Sequence, residues 1–305
     1  MQLKNKIKKL IKPKKNVHIE AQHVAACVLK QALQNQNLFS EESIVTDKLV
    51  LDAALTVSLT TYSSRVHDVY LTIESLGRQS LKPNNIILWL DESEFTLEEL
   101  PASLKRLSKR GLKIEFCDNY KSYKKLLPSL LLFPSDHIIT VDDDVMYPMD
   151  FIERLAFEAY KSPNTVICNH AHQIVAGRKG LLPYRNWVHG TNELNAQDSI
   201  LPVGVGGVLY PKNTFQGQPM EYSKIRELAP STDDLWFKIM AYRNAVKARK
   251  IRSNTDFESN FLQIPGSQVI SLFEENLGSN QNDNQLKNIL REFDCLNGFL
   301  KVIKK

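Results

Sequence analysis

From Leu55 onward the chain alternates short apolar runs with segments of helical periodicity. "LTVSLTTY" (55–62), "NIILWLDE" (85–92), "LKIEFCD" (112–118) and "HIITVDDD" (137–144) read as strands. Between them, "VHDVYLTIESLGRQS" (66–80), "TLEELPASLKRLSKRG" (96–111) and "YKKLLPSLLLF" (123–133) read as helices. Strict alternation of this kind predicts an α/β fold with a mostly parallel central sheet flanked by helices. Right-handed crossovers then bring the strand C-termini to one edge, where ligands bind. Past Pro148 the pattern predicts a helix (149–162), a strand "TVICNHAHQI" (165–174) and a long aromatic loop "GLLPYRNWVHGTNE" (180–193). A glycine-rich apolar segment, "SILPVGVGGVLYP" (199–211), and a helix opening at "STDDLWFKIMAYRNA" (231–245) follow. Upstream, a helix is expected over 19–36 with a polar connector after it, so the core should open near Leu55.

Composition adds bounds. The 305 residues, 43% hydrophobic and 24% charged, suit a soluble globular protein. No run of about 18 apolar residues suggests a membrane-spanning helix, and the N-terminus carries no apolar stretch of a secretory signal. A cytoplasmic location is expected. Cys27, Cys117, Cys168 and Cys295 form no CxxC pair and read as reduced, structural thiols.

The formal charge of +5 comes from the terminus, because residues 1–15 hold seven lysines and no acid. Without them the remaining 290 residues carry −2, which argues against a nucleic-acid-binding body. Leu3, Ile7, Leu10 and Ile11 share one helical face of that tail, a pattern that suits peripheral contact with an anionic membrane as well as a solvated terminus. The expected division is a basic tail, helix and connector over 1–50, a catalytic domain over 51–255, and a C-terminal helical extension with its own basic tail over 256–305.

The candidate chemistry sits where the fourth strand ends. Asp142, Asp143 and Asp144 repel one another unless a cation is present, and hard oxygen ligands favour Mn²⁺ or Mg²⁺. On an extended strand, Asp142 and Asp144 would share one face and Asp143 the other. A solvated strand end or helix cap is the plainer alternative. Asp233 and Asp234 open a helix, where acids also serve as caps and complement the macrodipole. Gly204, Gly206 and Gly207 lack the strand-to-helix context of a dinucleotide fingerprint and instead suit close backbone approach to a ligand. His170 and His172, two apart on an expected strand, would face one side, and no further His/Cys cluster completes a zinc set.

The run of "VSLTTYSSR", "NNIILWLDE", "HIITVDDDVMYP", "GVGGVLYP" and "STDDLWFK", spanning about Leu55 to Arg252, resembles bacterial glycosyltransferases of the GT-A (nucleotide-diphospho-sugar transferase) fold. The likeness is to the family-2-like enzymes that build capsule and lipopolysaccharide. That resemblance implies a nucleotide-sugar donor, UDP-linked for preference, and an oligosaccharide or lipid-linked glycan acceptor. It implies Mn²⁺ or Mg²⁺ held by Asp144 with Asp142, and Asp143 in support at the donor. Thr60, Tyr62, Arg65, Asp91, Asp118 and Lys125 fall at donor-binding positions, although capping suits Asp91 and Asp118, and plain solvation suits Arg65 and Lys125. Asp234, with Asp233 next, falls where an inverting enzyme keeps its general base, a Glu-Asp pair being commoner there. Gly206, Gly207, Trp187, His189 and Trp236 fall on the acceptor side, with a core role the stronger alternative for Trp236.

Two rivals share parts of the pattern. A haloacid-dehalogenase-type phosphatase also ends a strand in Asp-x-Asp, but on the first strand of its fold, whereas three strand–helix units precede it here. A non-catalytic glycan-binding scaffold of the same shape would have no need of both acidic sites.

Overall fold

The computed structural model describes residues 14–218, 220–267 and 280–303. Helix α1 (Lys14–Phe39) opens the described chain, and most of the basic stretch assigned to membrane contact, residues 1–13, lies outside it. The expected alternation follows: β1 (Leu55–Thr60), α2 (Val69–Gly77), β2 (Asn85–Asp91), α3 (Ala102–Ser108), β3 (Leu112–Cys117), α4 (Leu127–Leu132) and β4 (His137–Thr140). A short β5 (Val145–Met146), α5 (Phe151–Lys161), β6 (Thr165–Cys168) and β7 (Ala171–Gln173) come next. After the small hairpin β8 (Ala176–Gly177) and β9 (Gly180–Leu181) come β10 (Ile200–Pro202), β11 (Val208–Tyr210), α6 (Tyr222–Leu228), α7 (Asp233–Arg243) and β12 (Lys247–Lys250). The chain closes with α8 (Phe257–Asn260), β13 (Leu262–Gln263), α9 (Gln281–Glu292) and α10 (Leu296–Ile303).

The main sheet has seven strands in the order β12-β6-β11-β4-β1-β2-β3. β1 pairs in parallel with both β2 and β4, β2 with β3, and β6 with β12. Only β11 runs against its neighbours β4 and β6 in this sheet. The chain therefore moves outward from β1 through β2 to β3, then returns to lay β4 on the other side of β1. That reversal is a topological switch point, the place beyond the carboxyl ends of β1 and β4 where open α/β sheets bind their ligands. Helices cover both faces, so the central strands are apolar throughout rather than alternating: Val57, Leu59 and Ile86 to Leu90 are all buried.

Four local readings change. The helix expected over 96–111 begins only at Ala102, because Pro101 has no amide hydrogen to give and fits a helix start, not its interior. The strand expected over 165–174 divides. Asn169 leaves the main sheet, its side-chain amide donates to the Gly206 carbonyl at 3.0 Å, and β7 pairs with β10 in a separate ribbon. His170 consequently lies between strands, not in one. The core also opens before Leu55. Ile44 is fully buried, and a Cβ on Gly77 would sit 2.4 Å from its Cγ2, so only glycine lets α2 approach that segment.

Both terminal segments pack into the body. Asn37 of α1 donates to Glu74 of α2 at 2.9 Å, and Arg110 reaches the same Glu74 oxygen at 2.6 Å, all within the interior. β13 pairs with β5 just past the acidic strand end. Leu286, Ile289, Leu290 and Phe299 join the apolar cluster that holds Tyr210 and Phe237. Among the described residues no helix is long and apolar enough to cross a membrane, and the four cysteines are unpaired.

Candidate active site

Strand β4 ends at Thr140, so Asp142, Asp143 and Asp144 lie in the turn beyond it and do not alternate as an extended strand would. The difference decides their partners. Asp143 and Asp144 converge on one cation: Arg65 Nη1 lies 2.7 Å from Asp143 Oδ1 and 3.2 Å from Asp144 Oδ2. Asp142 turns instead to Lys125, whose Nζ is 3.3 Å from its Oδ1.

Asp143 is the anchored member. Thr61, at the end of β1, donates to its Oδ2 at 2.6 Å across the switch point, and Thr72 of α2 donates to its backbone carbonyl at 2.9 Å. Burial pushes its carboxyl upward while Thr61 and Arg65 pull it back. Asp144 is less compensated. Burial, with Asp142 and Asp143 beside it, pushes its carboxyl up to about 6. The Asp142 amide donates to Tyr147 Oη at 3.0 Å, which ties the turn to the ring stacked behind it.

The second acidic pair stands at the opening of α7, where the helix dipole favours negative charge. Lys125 Nζ lies 3.1 Å from Asp233 Oδ2, so one buried ammonium joins the strand-end turn to this helix start. Burial works against its charge, yet Asp142, Asp233 and Asp234 together hold it protonated well above the usual lysine range. Asp234 receives the Gly204 amide at 3.4 Å. Its carboxyl is pushed up to about 7 by burial and by the Asp233 charge, with Lys125 opposing.

Gly204, having no side chain, lets the Lys125 ammonium come close between these groups. A Cβ there would meet Lys125 Nζ at 2.7 Å and both Asp142 Oδ1 and Asp234 Oδ1 at 3.6 Å. Gly207 serves packing instead, since at φ +76° its missing Cβ would press to 2.4 Å from the Phe151 ring.

The other expected site residues separate into groups. Thr60 donates to the Trp89 carbonyl at 2.9 Å and Tyr62 lies 5.2 Å beneath the Arg65 guanidinium, both at the end of β1. Asp91 is buried at the end of β2, where the Ser93 amide and hydroxyl bind its Oδ1 and Lys124 lies at 3.8 Å. Asp118 is exposed beyond β3, near the Tyr120 hydroxyl. Trp236 is fully buried against Phe293, the placement that a core role expects. Trp187 is 5% exposed and donates its indole N–H to the Leu182 carbonyl, which anchors its loop. His189 does stay exposed, with its ring 4.4 Å from that of His172 and 5.3 Å from that of Tyr184. Gly206 touches this aromatic strip, since a Cβ on it would meet His170 and Phe257 at 3.0 Å.

Several participants had no periodic signal in the sequence. Phe257 and Ser267 come back to the site from the C-terminal segment; the Ser267 carbonyl accepts from Arg65 Nη2 at 3.2 Å. Tyr147 had a local cue, as an aromatic residue directly after an acidic strand end.

The donor set suits a hard divalent ion. Carboxylate oxygens crowd at one turn, and burial first, then that crowding, raises the Asp144 proton affinity. Among the described residues no group of three or more His, Cys, Asp or Glu side chains is placed to hold a metal ion, so an ion at this turn would take one or two carboxylates and complete its shell with ligand oxygens and water.

No family model matches the chain, and no curated protein matches it. Solved structures to which it is similar include mannosyltransferase PcManGT from Pyrobaculum calidifontis in complex with GDP-Man and Mn²⁺, at 12% identity and a TM-score of 0.44. That match covers 76% of this chain and 64% of the other. A CMP:2-keto-3-deoxy-manno-octonic acid synthetase complexed with CTP is 15% identical, covering 67% and 90%, with a TM-score of 0.40. S. aureus TarS 1–349 is 16% identical, covering 66% and 59%, with a TM-score of 0.43. The chain thus spans less than two thirds of the mannosyltransferase and TarS structures.

Proposed function

We propose that this chain is a GT-A-type glycosyltransferase that moves a sugar from a nucleotide-sugar donor to a glycan hydroxyl. One observation carries the reading: the Asp142–Asp144 turn and the Asp233/Asp234 helix start meet at a single sheet edge, joined through Lys125. A sheet edge with one acidic group for a charged donor and a second, more basic carboxylate beside it suits group transfer between two bound partners.

In this reading Asp144 and Asp142 would hold Mn²⁺ or Mg²⁺, which when bound offsets charge on the departing nucleoside diphosphate. Arg65 and Lys125 bind donor phosphate oxygens by charge-assisted hydrogen bonds. Thr61 and Arg65 fix the turn through Asp143, while Thr60, Tyr62, Asp91 and Asp118 line the donor side. Asp234 accepts the proton of the acceptor hydroxyl, since a carboxyl raised towards neutrality combines adequate basicity with partial ionisation. The Gly204 amide orients it. Inversion at the anomeric carbon follows if Asp234 acts on the acceptor from the face opposite the diphosphate.

Donor hydrolysis tests the proposal. Wild type and Asp144→Ala are compared on UDP-, GDP-, CMP- and dTDP-sugars with Mn²⁺, Mg²⁺ or EDTA. Turnover of one donor, lost with EDTA and with the substitution, is expected; no donor turned over or bound removes the proposal. A retained anomer in the product removes Asp234 as base. A surface-polysaccharide acceptor and contact of residues 1–15 with an anionic membrane complete the reading, the latter tested by liposome sedimentation with and without those residues.

A further inference from the structure

Three carboxylates in consecutive positions need counter-charge, and the protein supplies it from two separate elements. Arg65 comes from the turn after β1 and touches Asp143 and Asp144. Lys125 comes from the turn before α4 and touches Asp142. Neither cation is a loose surface group. The Arg65 side chain is 19% exposed and is held by the Ser267 carbonyl and the Tyr62 ring; that of Lys125 is 10% exposed and is held by Asp233.

Resting on the glycosyltransferase reading, we infer that Arg65 and Lys125 close the Asp142–Asp144 turn to a divalent cation that arrives alone, and that the cation enters together with a nucleoside diphosphate. A bare ion must displace Arg65 from Asp144 and Lys125 from Asp142, leaving two positive charges beside its own in a partly buried site. A diphosphate reverses this balance. Its oxygens take over Arg65 and Lys125 as partners, so the carboxylates are released to the ion at the moment the two side chains gain a better anion. The site is thereby selective for the metal–nucleotide complex over its parts.

The test is Mn²⁺ binding to the full chain, followed by electron paramagnetic resonance of the unbound ion, with no sugar donor and no turnover required. Wild type is expected to bind Mn²⁺ weakly alone. Arg65→Gln should bind it about tenfold more tightly or better, Arg65→Lys should not, and adding Asp144→Asn to Arg65→Gln should abolish the gain. Lys125→Met gives a second reading of the same effect, with circular dichroism and melting to confirm that it folds. Tight Mn²⁺ binding by wild type without nucleotide overturns the inference, as does the absence of any gain in folded Arg65→Gln and Lys125→Met. A parallel titration with UDP, GDP or dTDP present separates the two proposals. If no nucleoside diphosphate tightens Mn²⁺ binding in wild type, the donor reading and the coupled entry fall together. If one does while the variants gain nothing, the donor reading stands and the closure by Arg65 and Lys125 falls.

Discussion

Lys125 Nζ lies 3.1 Å from Asp233 Oδ2, at the opening of a helix more than a hundred residues further along the chain. The same ammonium lies 3.3 Å from Asp142, so a single positive charge spans the two acidic sites. Because the ammonium is buried and Asp233 nearly so, removing the charge leaves Asp233 uncompensated in the interior and Asp142 without its cation. Lys125→Met is expected to lower donor turnover by about 10²–10³-fold, the scale of losing one preorganised electrostatic contact. Steady-state kinetics on the donor found in the hydrolysis panel checks this.

Asp234→Asn keeps the shape of the site and removes its proton acceptor. Transfer to acceptor should fall by about 10²–10⁴-fold while donor binding, measured by calorimetry, changes little. The wild-type rate should rise with pH through the neutral range, since the Asp234 carboxyl is held up to about 7 and must be ionised to act. A rate that is flat from pH 5 to pH 8 would show that a different group takes the proton.

Stability should run the other way with pH. Asp144 and Asp234 both bind protons more tightly in the folded chain than in the unfolded one, at about 6 and about 7. A raised carboxyl gives stability that is fully present below its unfolded value near 3.9 and is lost as pH rises through the folded value. The melting temperature should therefore drop between about pH 4 and pH 6.5 more in wild type than in Asp144→Asn. Thermal melts of the two proteins across that range check the difference.

The buried network of Asn37, Glu74 and Arg110 fixes α1 on α2, the helix whose Thr72 also holds the Asp143 carbonyl. Arg110→Ala strands the Glu74 carboxylate in the interior and is expected to cost about 3–5 kcal/mol. Denaturant unfolding measures the loss. The folded fraction should keep its donor turnover, because the network's side chains pair with one another and not with the acidic residues.

Much of the frame was legible from local pattern. Four apolar runs separated by helical segments defined the parallel half of the sheet, and the acidic positions 142–144 and 233–234 fell at the strand end and helix start where they were expected. Local pattern did less well where neighbours set the outcome. "TVICNHAHQI" carries the apolar content of one strand, yet Asn169 is drawn away by the Gly206 carbonyl and the segment becomes two strands in two sheets. Lys125 reads as a surface residue by type, and its burial became visible only once Asp142 and Asp233 stood on either side of it.

By itself the sequence determined the alternation of strands and helices from Leu55 to the acidic strand end, because apolar periodicity acts over a few positions and needs no distant partner. It also determined that excess negative charge would emerge at one strand end. The tertiary structure alone decided which cation each carboxylate meets, since contacts such as Arg65 with Asp143 and Asp144, or Arg65 with the Ser267 carbonyl, join segments far apart in the chain. Electrostatic energy depends on distance and burial, and neither is encoded at a single position.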